Sequence, residues 1–341
     1  MLSVFSILIL LLPGAGDSVA DGPRVDTEAA RRLLTELGTE FSADYGTYFT
    51  VISDAGASSR IKIIADGVFR QVELFAEGLE IKTTRPKVKM TVVYFGKWTD
   101  YERHGRAAGF AVNENAPGFY DHKSGICFIY DYADSTLMRE KRAALKAATH
   151  TIEAASQKEA PTDAEREATA RLIERTAQMR AELDRHETMI NQTVMRHEMA
   201  HQSLSHMGIQ TPRIMHLRWL CEGLAMQFEP VGDVNTSRLA DFRAIDWTDE
   251  RLSARRLVND SKLLGPGAEQ LSVAYAAAWG MVHYLIHEKP KEFAEFVRIL
   301  RQEPPRGVSM EDANRAAFIN CFGEPDAKFQ FAWLEFMSSL K

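Results

Sequence analysis

Apolar positions along the first 130 residues switch repeatedly between a period near 3.6 and a period of 2. Those two spacings are the signatures of helix and strand. Residues 26–41 (DTEAARRLLTELGTEF) predict a short amphipathic helix capped by Asp26 or Thr27. Residues 45–53 (YGTYFTVIS) are β-branched and aromatic and predict a strand. Residues 58–77 return to helical spacing, with Ile61, Ile64, Val68, Val72 and Phe75 on one stripe. Residues 87–94 (KVKMTVVY) alternate as a strand, and 98–107 read as a helix. Residues 118–130 read as a hairpin whose turn, Asp121-His122-Lys123-Ser124-Gly125, is polar.

From 135 to 188 the pattern changes. This stretch is dominated by Ala, Glu, Arg, Lys and Gln, lacks Gly, and is broken once at Ala160-Pro161-Thr162-Asp163. Two charged helices joined at Pro161 are predicted, the second started by Thr162 or Asp163. Leu172, Thr176, Met179, Leu183 and Ile190 keep a 3–4 spacing that runs on through Val194 to His197. The second helix is therefore expected to continue past the insertion. Two roles stand open for the hairpin at 135–188: a projecting arm that binds a protein partner, or a solvated pair of helices packed on the body.

Composition adds bounds. The chain has 341 residues, 45% hydrophobic and 26% charged, which suits a globular protein. A formal charge of -6 gives no basic footprint, so nucleic acid is excluded as an expected partner. Residues 4–12 (VFSILILLL) form an apolar run too short to span a bilayer, followed by Pro13-Gly14 and then Ser18-Val19-Ala20. This predicts a signal peptide over 1–20 cut after Ala20, a secreted or periplasmic protein, and one domain over 21–341; an uncleaved anchor is the alternative. No later run reaches 18 apolar residues, so no membrane contact is expected after cleavage. The three cysteines, Cys127, Cys221 and Cys321, form no C-x-x-C pair, and their pairing is open.

The densest chemistry lies at His197-Glu198-Met199-Ala200-His201, an H-E-x-x-H sequence. Positions i and i+4 share a helix face, so both imidazoles can reach one metal. Glu198, about 100° further round, can reach the water such a metal activates. Ordinary residue frequencies give on the order of 0.02 accidental matches in a chain of this length. Catalytic zinc takes three protein ligands. The third candidate is Glu222, 21 residues after His201, within Trp219-Leu220-Cys221-Glu222-Gly223-Leu224-Ala225. Loop signals from Gly208 to His216 allow the chain to turn back so that a helix from about Leu217 aims Glu222 at the histidines. Glu222 as a helix cap or an arginine partner is the blander alternative.

These motifs, with Tyr275-x-x-x-Trp279 downstream, resemble the peptidase MA-like gluzincins, and most of all their bacterial domain-of-unknown-function 1570 branch, over roughly residues 88–340. The resemblance implies an α+β, zincin-like (gluzincin) fold: a small mixed sheet packed on the motif helix, a helical C-terminal half, and the inserted helical hairpin. It implies one catalytic zinc held by His197, His201 and Glu222, with Glu198 as general base, acting on a peptide or protein substrate. It also implies that the edge strand of the 118–130 hairpin flanks the cleft. Several gluzincins place an Asp one turn after the glutamate ligand to orient a histidine; here that position is Met226, and Glu229 or a backbone carbonyl stands open as the substitute.

Peptide hydrolysis needs a donor for the tetrahedral oxyanion. Tyr275 is the candidate, against an alternative in which Tyr275, Trp279, Val282 and Leu285 or Ile286 simply form a packed stripe. His206, nine residues after His197, is expected on the opposite side of the helix end, with a place near the site as the alternative; His216, His283 and His287 read as surface or core histidines. Asn191-Gln192-Thr193 matches a glycosylation sequon but falls on the motif helix. The expected function is a secreted zinc metallopeptidase. The alternatives are a zinc-stabilised binding or scaffold protein with a vestigial site, and a zinc amidase acting on cell-wall peptides.

Overall fold

A computed structural model describes residues 22–341 apart from 55, 231, 233, 250, 251 and 266–270. The leader expected at 1–20 lies outside the described residues. Five strands form one mixed sheet: β1 (Ser42–Tyr45), β2 (Phe49–Ser53), β3 (Met90–Phe95), β4 (Gly118–Asp121) and β5 (Ile126–Tyr130), in the order β1-β2-β3-β5-β4. The β1–β2 and β4–β5 pairs are antiparallel, whereas β3 runs parallel to both β2 and β5. Parallel neighbours need a crossover. Helix α2 (Ser58–Gly78) links β2 to β3, and α3 (Trp98–Ala107) begins the link from β3 to the β4–β5 hairpin.

The strand expected over 45–53 is a hairpin instead. The chain folds back at Gly46, whose N–H donates to Phe49 O at 2.8 Å. Asp66 of α2 accepts from the backbone N–H groups of Thr47 and Tyr48, each at 2.9 Å, and so fixes the turn from outside. A carboxylate about twenty residues away leaves no trace in local periodicity. The helix expected over 26–41 is α1 (Thr27–Leu37), capped by Asp26 and stopped at Gly38, whose φ of 115° favours glycine.

Alternation along the strands divides the core. Val51, Val92, Cys127 and Ile129 face α2 and join the larger cluster with Ile61, Val68 and Val72. Ile52, Val93, Phe95, Phe128 and Tyr130 face the other way, against Leu37, Tyr101, Met138 and Leu183.

Helices α4 (Thr136–Ser156) and α5 (Asp163–His206) form the expected hairpin. Thr162 opens α5 with a capping box to Glu165, and the helix then runs 44 residues without a break into the H-E-x-x-H segment. Among the described residues eight α-helices follow: α6 (Pro212–His216), α7 (Arg218–Met226), α8 (Thr236–Arg243), α9 (Ala254–Asn259), α10 (Leu271–Glu288), α11 (Pro290–Leu300), α12 (Met310–Phe322) and α13 (Ala327–Ser339). They share the larger cluster with the sheet. Helix α6 occupies part of the stretch read as a loop, and buried Arg213 ties it to Ile299 O, Gln302 O, Ala313 O and Asn314. Among the described residues no helix is long and apolar enough to cross a membrane.

Candidate metal centre

Helix α5 carries His197 and His201 one turn apart, and α7 returns beside it carrying Glu222. The return path is α6, anchored by Arg213. Helix α7 is pressed close by α10: a Cβ on Gly223 would stand 2.5 Å from Val282 Cγ2 and 2.6 Å from Ala278 O. Glycine after the glutamate therefore allows a helix crossing that no side chain fits.

Three donor atoms converge. His197 Nε2 lies 3.1 Å from His201 Nε2, and Glu222 Oε2 lies 3.3 Å and 3.5 Å from them respectively. A tetrahedral ion with arms of about 2.05 Å has ligand–ligand edges of about 3.3 Å. The triangle fits one small divalent ion and is close enough to hold it. Glu198 lines the same cavity.

The outer ring nitrogens are also engaged. His197 Nδ1 lies 3.0 Å from Glu229 Oε1. Glu229, just past α7, is clamped by Arg238 at 2.9 and 3.1 Å and by Asn235 Nδ2 at 2.7 Å. Glu229, one turn past Met226, is thus the acid that faces the outer nitrogen of His197. His201 Nδ1 faces the Gln210 amide, 3.2 Å from Oε1 and 3.1 Å from Nε2, and the amide nitrogen also reaches Cys221. With both Nδ1–H groups donating outward, both Nε2 lone pairs point at the triangle. Gln210 was missed in the sequence because its reach into the site depends on how α6 folds back.

Electrostatics agree with a cation site. Burial opposes charge on His197, but hydrogen bonds to Glu222 and Glu229 outweigh it and raise its pKa. Burial likewise opposes the Glu222 carboxylate, yet His197 and His201 hold it well below the ordinary range. The carboxylates around the triangle therefore favour positive charge there. Glu198 moves oppositely: burial lifts its pKa against the pull of both histidines.

The cavity, about 380 Å³, is walled by β4 on one side and by α7 and α10 on the other. Strand β4 is the sheet edge, as expected for the hairpin. A Cβ on Gly118 would stand 2.7 Å from Val194 Cγ1 and 3.1 Å from Glu198 Cγ, so glycine sets how near the edge strand lies to the motif helix. Tyr275 lines the cavity opposite, its phenol held protonated by burial and the nearby Glu222. Two lining residues escaped the sequence reading: His122 from the β4–β5 turn and Arg218 at the start of α7. His122 has a pKa lowered to about 4 by burial and the neighbouring His201, so its ring is neutral at pH 7. A histidine in a polar turn carries no spacing signal.

The remaining histidines stay outside this cavity. The ring of His206 sits against Gly125, His216 lines a neighbouring cavity, and His283 is buried on α10 with Nδ1 3.1 Å from Gln227 Oε1. Asn191 of the sequon is buried, accepting from Tyr132 N–H at 2.9 Å and donating to Asp131 at 2.8 Å, a structural role. All three cysteines are free; Cys127 and Cys221 are buried.

Residues 191–306 match a family model described as "Protein of unknown function (DUF1570)". The match starts within α5, spans all three donors, Glu229 and Tyr275, and agrees with the branch named by the resemblance. No curated protein and no solved structure matches the chain.

Proposed function

We propose that this chain is a zinc-dependent hydrolase of gluzincin type, a metallopeptidase acting outside the cytoplasm. The observation that carries the reading is the donor triangle of His197, His201 and Glu222, with edges of 3.1–3.5 Å, sharing one cavity with Glu198. Two histidines and a carboxylate form a hydrolytic zinc set that leaves a position for water. Zinc held by these three residues would lower the pKa of bound water and polarise a substrate carbonyl.

The chain's own residues do the rest. Glu198 takes the proton of the attacking water and passes it to the leaving amine; its raised pKa moves it toward the range where both transfers run near neutrality. Tyr275, protonated, donates to the oxygen on which negative charge grows. Glu229 and Gln210 keep the imidazoles in the tautomer that presents Nε2. The unpaired edge of β4 offers backbone groups to an extended peptide.

The test is Glu198→Gln. The variant is expected to keep one metal per chain while losing about 10²- to 10⁴-fold in hydrolysis of a quenched peptide library. Full turnover in the variant overturns the base assignment. A parent chain showing no chelator-sensitive hydrolysis overturns the enzyme reading.

A further inference from the structure

Resting on the hydrolase reading, we infer that Arg218 is a specificity-determining residue that pairs with a carboxylate of the substrate next to the scissile bond. Arg218 opens α7, one turn before Glu222, and lines two cavities. One is the metal cavity; the other, about 180 Å³, adjoins it between α7, α9 and α12 and is lined also by Trp219, Val258 and Met310. Arg218 is the one permanent cation among the residues lining the metal cavity.

Its guanidinium has no hydrogen-bond partner among the described residues. The Nε–H is shielded from solvent and unpaired, and the nearest acid is Glu222 Oε1 at 4.0 Å, beyond hydrogen-bond reach. The more deeply buried arginines of this half are used differently. Arg196 donates to Glu229 O, Pro230 O and Gln71. Arg213 makes four bonds within α6, α11 and α12 and their connections, and Arg238 makes two to Glu229. Those side chains are structural braces. Arg218, its side chain 41% exposed, has no contact of that kind and lines the wall of the metal cavity.

Glu222 does not satisfy it. The carboxylate turns Oε2 toward both imidazole nitrogens, so its charge serves the donor triangle, and Oε1 stays 4.0 Å from the guanidinium. A forked, permanently charged donor matches a carboxylate through two parallel hydrogen bonds. That carboxylate belongs either to the substrate's C-terminus or to an Asp or Glu side chain flanking the scissile bond.

The test measures binding, not turnover. The full chain carrying Glu198→Gln is loaded with zinc and titrated calorimetrically with three acetylated tripeptides. One has a free terminal carboxylate, one is its carboxamide, and one is the carboxamide with Glu at the last position. A carboxylate probe is expected to bind about 10- to 100-fold more tightly than the neutral one. Whichever probe shows the preference assigns the source. Adding Arg218→Met removes the preference with zinc content unchanged, and Arg218→Lys retains part of it. Equal binding of all three probes, a preference surviving Arg218→Met, or zinc loss in Arg218→Met each overturns the inference. The two readings fail separately: chelator-sensitive hydrolysis of neutral peptides without a carboxylate preference sinks only the role of Arg218. An Arg218-dependent preference in a chain that cleaves no peptide sinks only the hydrolase.

Discussion

The first 28 residues of α5 and its last 16 belong to one uninterrupted helix but live in different surroundings. In the first part only Thr176 and Leu183 are buried; in the second, nine residues are, from Asn191 to Leu204. The outer part is held by α4, by its capping box and by exposed pairs such as Arg171–Glu167, each adding a few tenths of a kcal/mol. The inner part is fixed by burial and by directed bonds: Gln202 Nε2 donates to Thr91 O and Gly125 O, and Arg196 to the backbone beyond α7. A continuous helix can therefore contain a rigid site and a solvated arm, with the boundary set by what packs on it. The consequence is that changes in the arm should not reach the metal.

The sharpest way to break this comparison is to make one substitution in both parts. Each part has a His-Glu pair, His197-Glu198 inside and His186-Glu187 outside. His201→Ala removes one of three donors, and zinc binding is expected to fall by at least about 10³-fold in a competition assay. His186→Ala loses only an edge-on contact with Tyr132, ring centroids 6.2 Å apart, and should leave zinc affinity unchanged. Weakened zinc binding in the His186 variant would show that the arm is coupled to the site.

A smaller effect follows one shell out. Glu229→Gln keeps the shape but removes the charge that faces His197 Nδ1 and Arg238. Zinc affinity is expected to drop about 10- to 100-fold, with the ligand set intact. An unchanged affinity would show that His197 needs no outer partner.

The two parts also differed in how far they could be read from sequence, for physical reasons. The arm was legible because its signals are local: a proline break, a capping box and a charge pattern all lie within a few residues. The donor histidines were legible because helix geometry converts a four-residue spacing into a shared face. Glu222 was found through its neighbours, and the close crossing at Gly223 explains part of that context. Glu229, Gln210, His122 and Arg218 are set by how α6, α7 and the β4–β5 turn fold back. The hairpin at Gly46 likewise depends on Asp66, far along the chain. Only Glu229 was named beforehand, as one of two options.

Acid sensitivity should also follow the interior. His283 is buried against Trp279, and burial, helped by His287, lowers its pKa to about 3. The unfolded chain binds that proton near pH 6.5, the folded chain only near 3, so protonation favours unfolding. The stability contributed by neutral His283 is complete above about pH 6.5. It is lost at about 1.4 kcal/mol per pH unit as the pH falls toward 3. Denaturant melts at pH 7 and pH 5.5 should differ by about that amount for this group, and His283→Gln should flatten the difference. An equal slope in the variant would place the acid sensitivity elsewhere.

The gentlest probe sits at the far end of α5. Thr162→Ala removes the side-chain half of the box, in which Thr162 Oγ1 accepts from Glu165 N–H, and leaves the backbone N–H of residue 162 donating to the Glu165 carboxylate. Such a cap is worth about 1 kcal/mol to the first turn. That turn is exposed, and 34 residues separate it from Glu198 at about 1.5 Å each, roughly 50 Å of helix. Amide exchange should quicken over residues 163–168 and stay unchanged over 191–206, with zinc affinity the same. Burial of Met195, Met199 and Leu204 in the core holds the other end of the helix independently of this cap. Faster exchange around His197 in the variant would mean that the arm does help to hold the site. The division of the helix would then lie nearer its N-terminus than the burial pattern puts it.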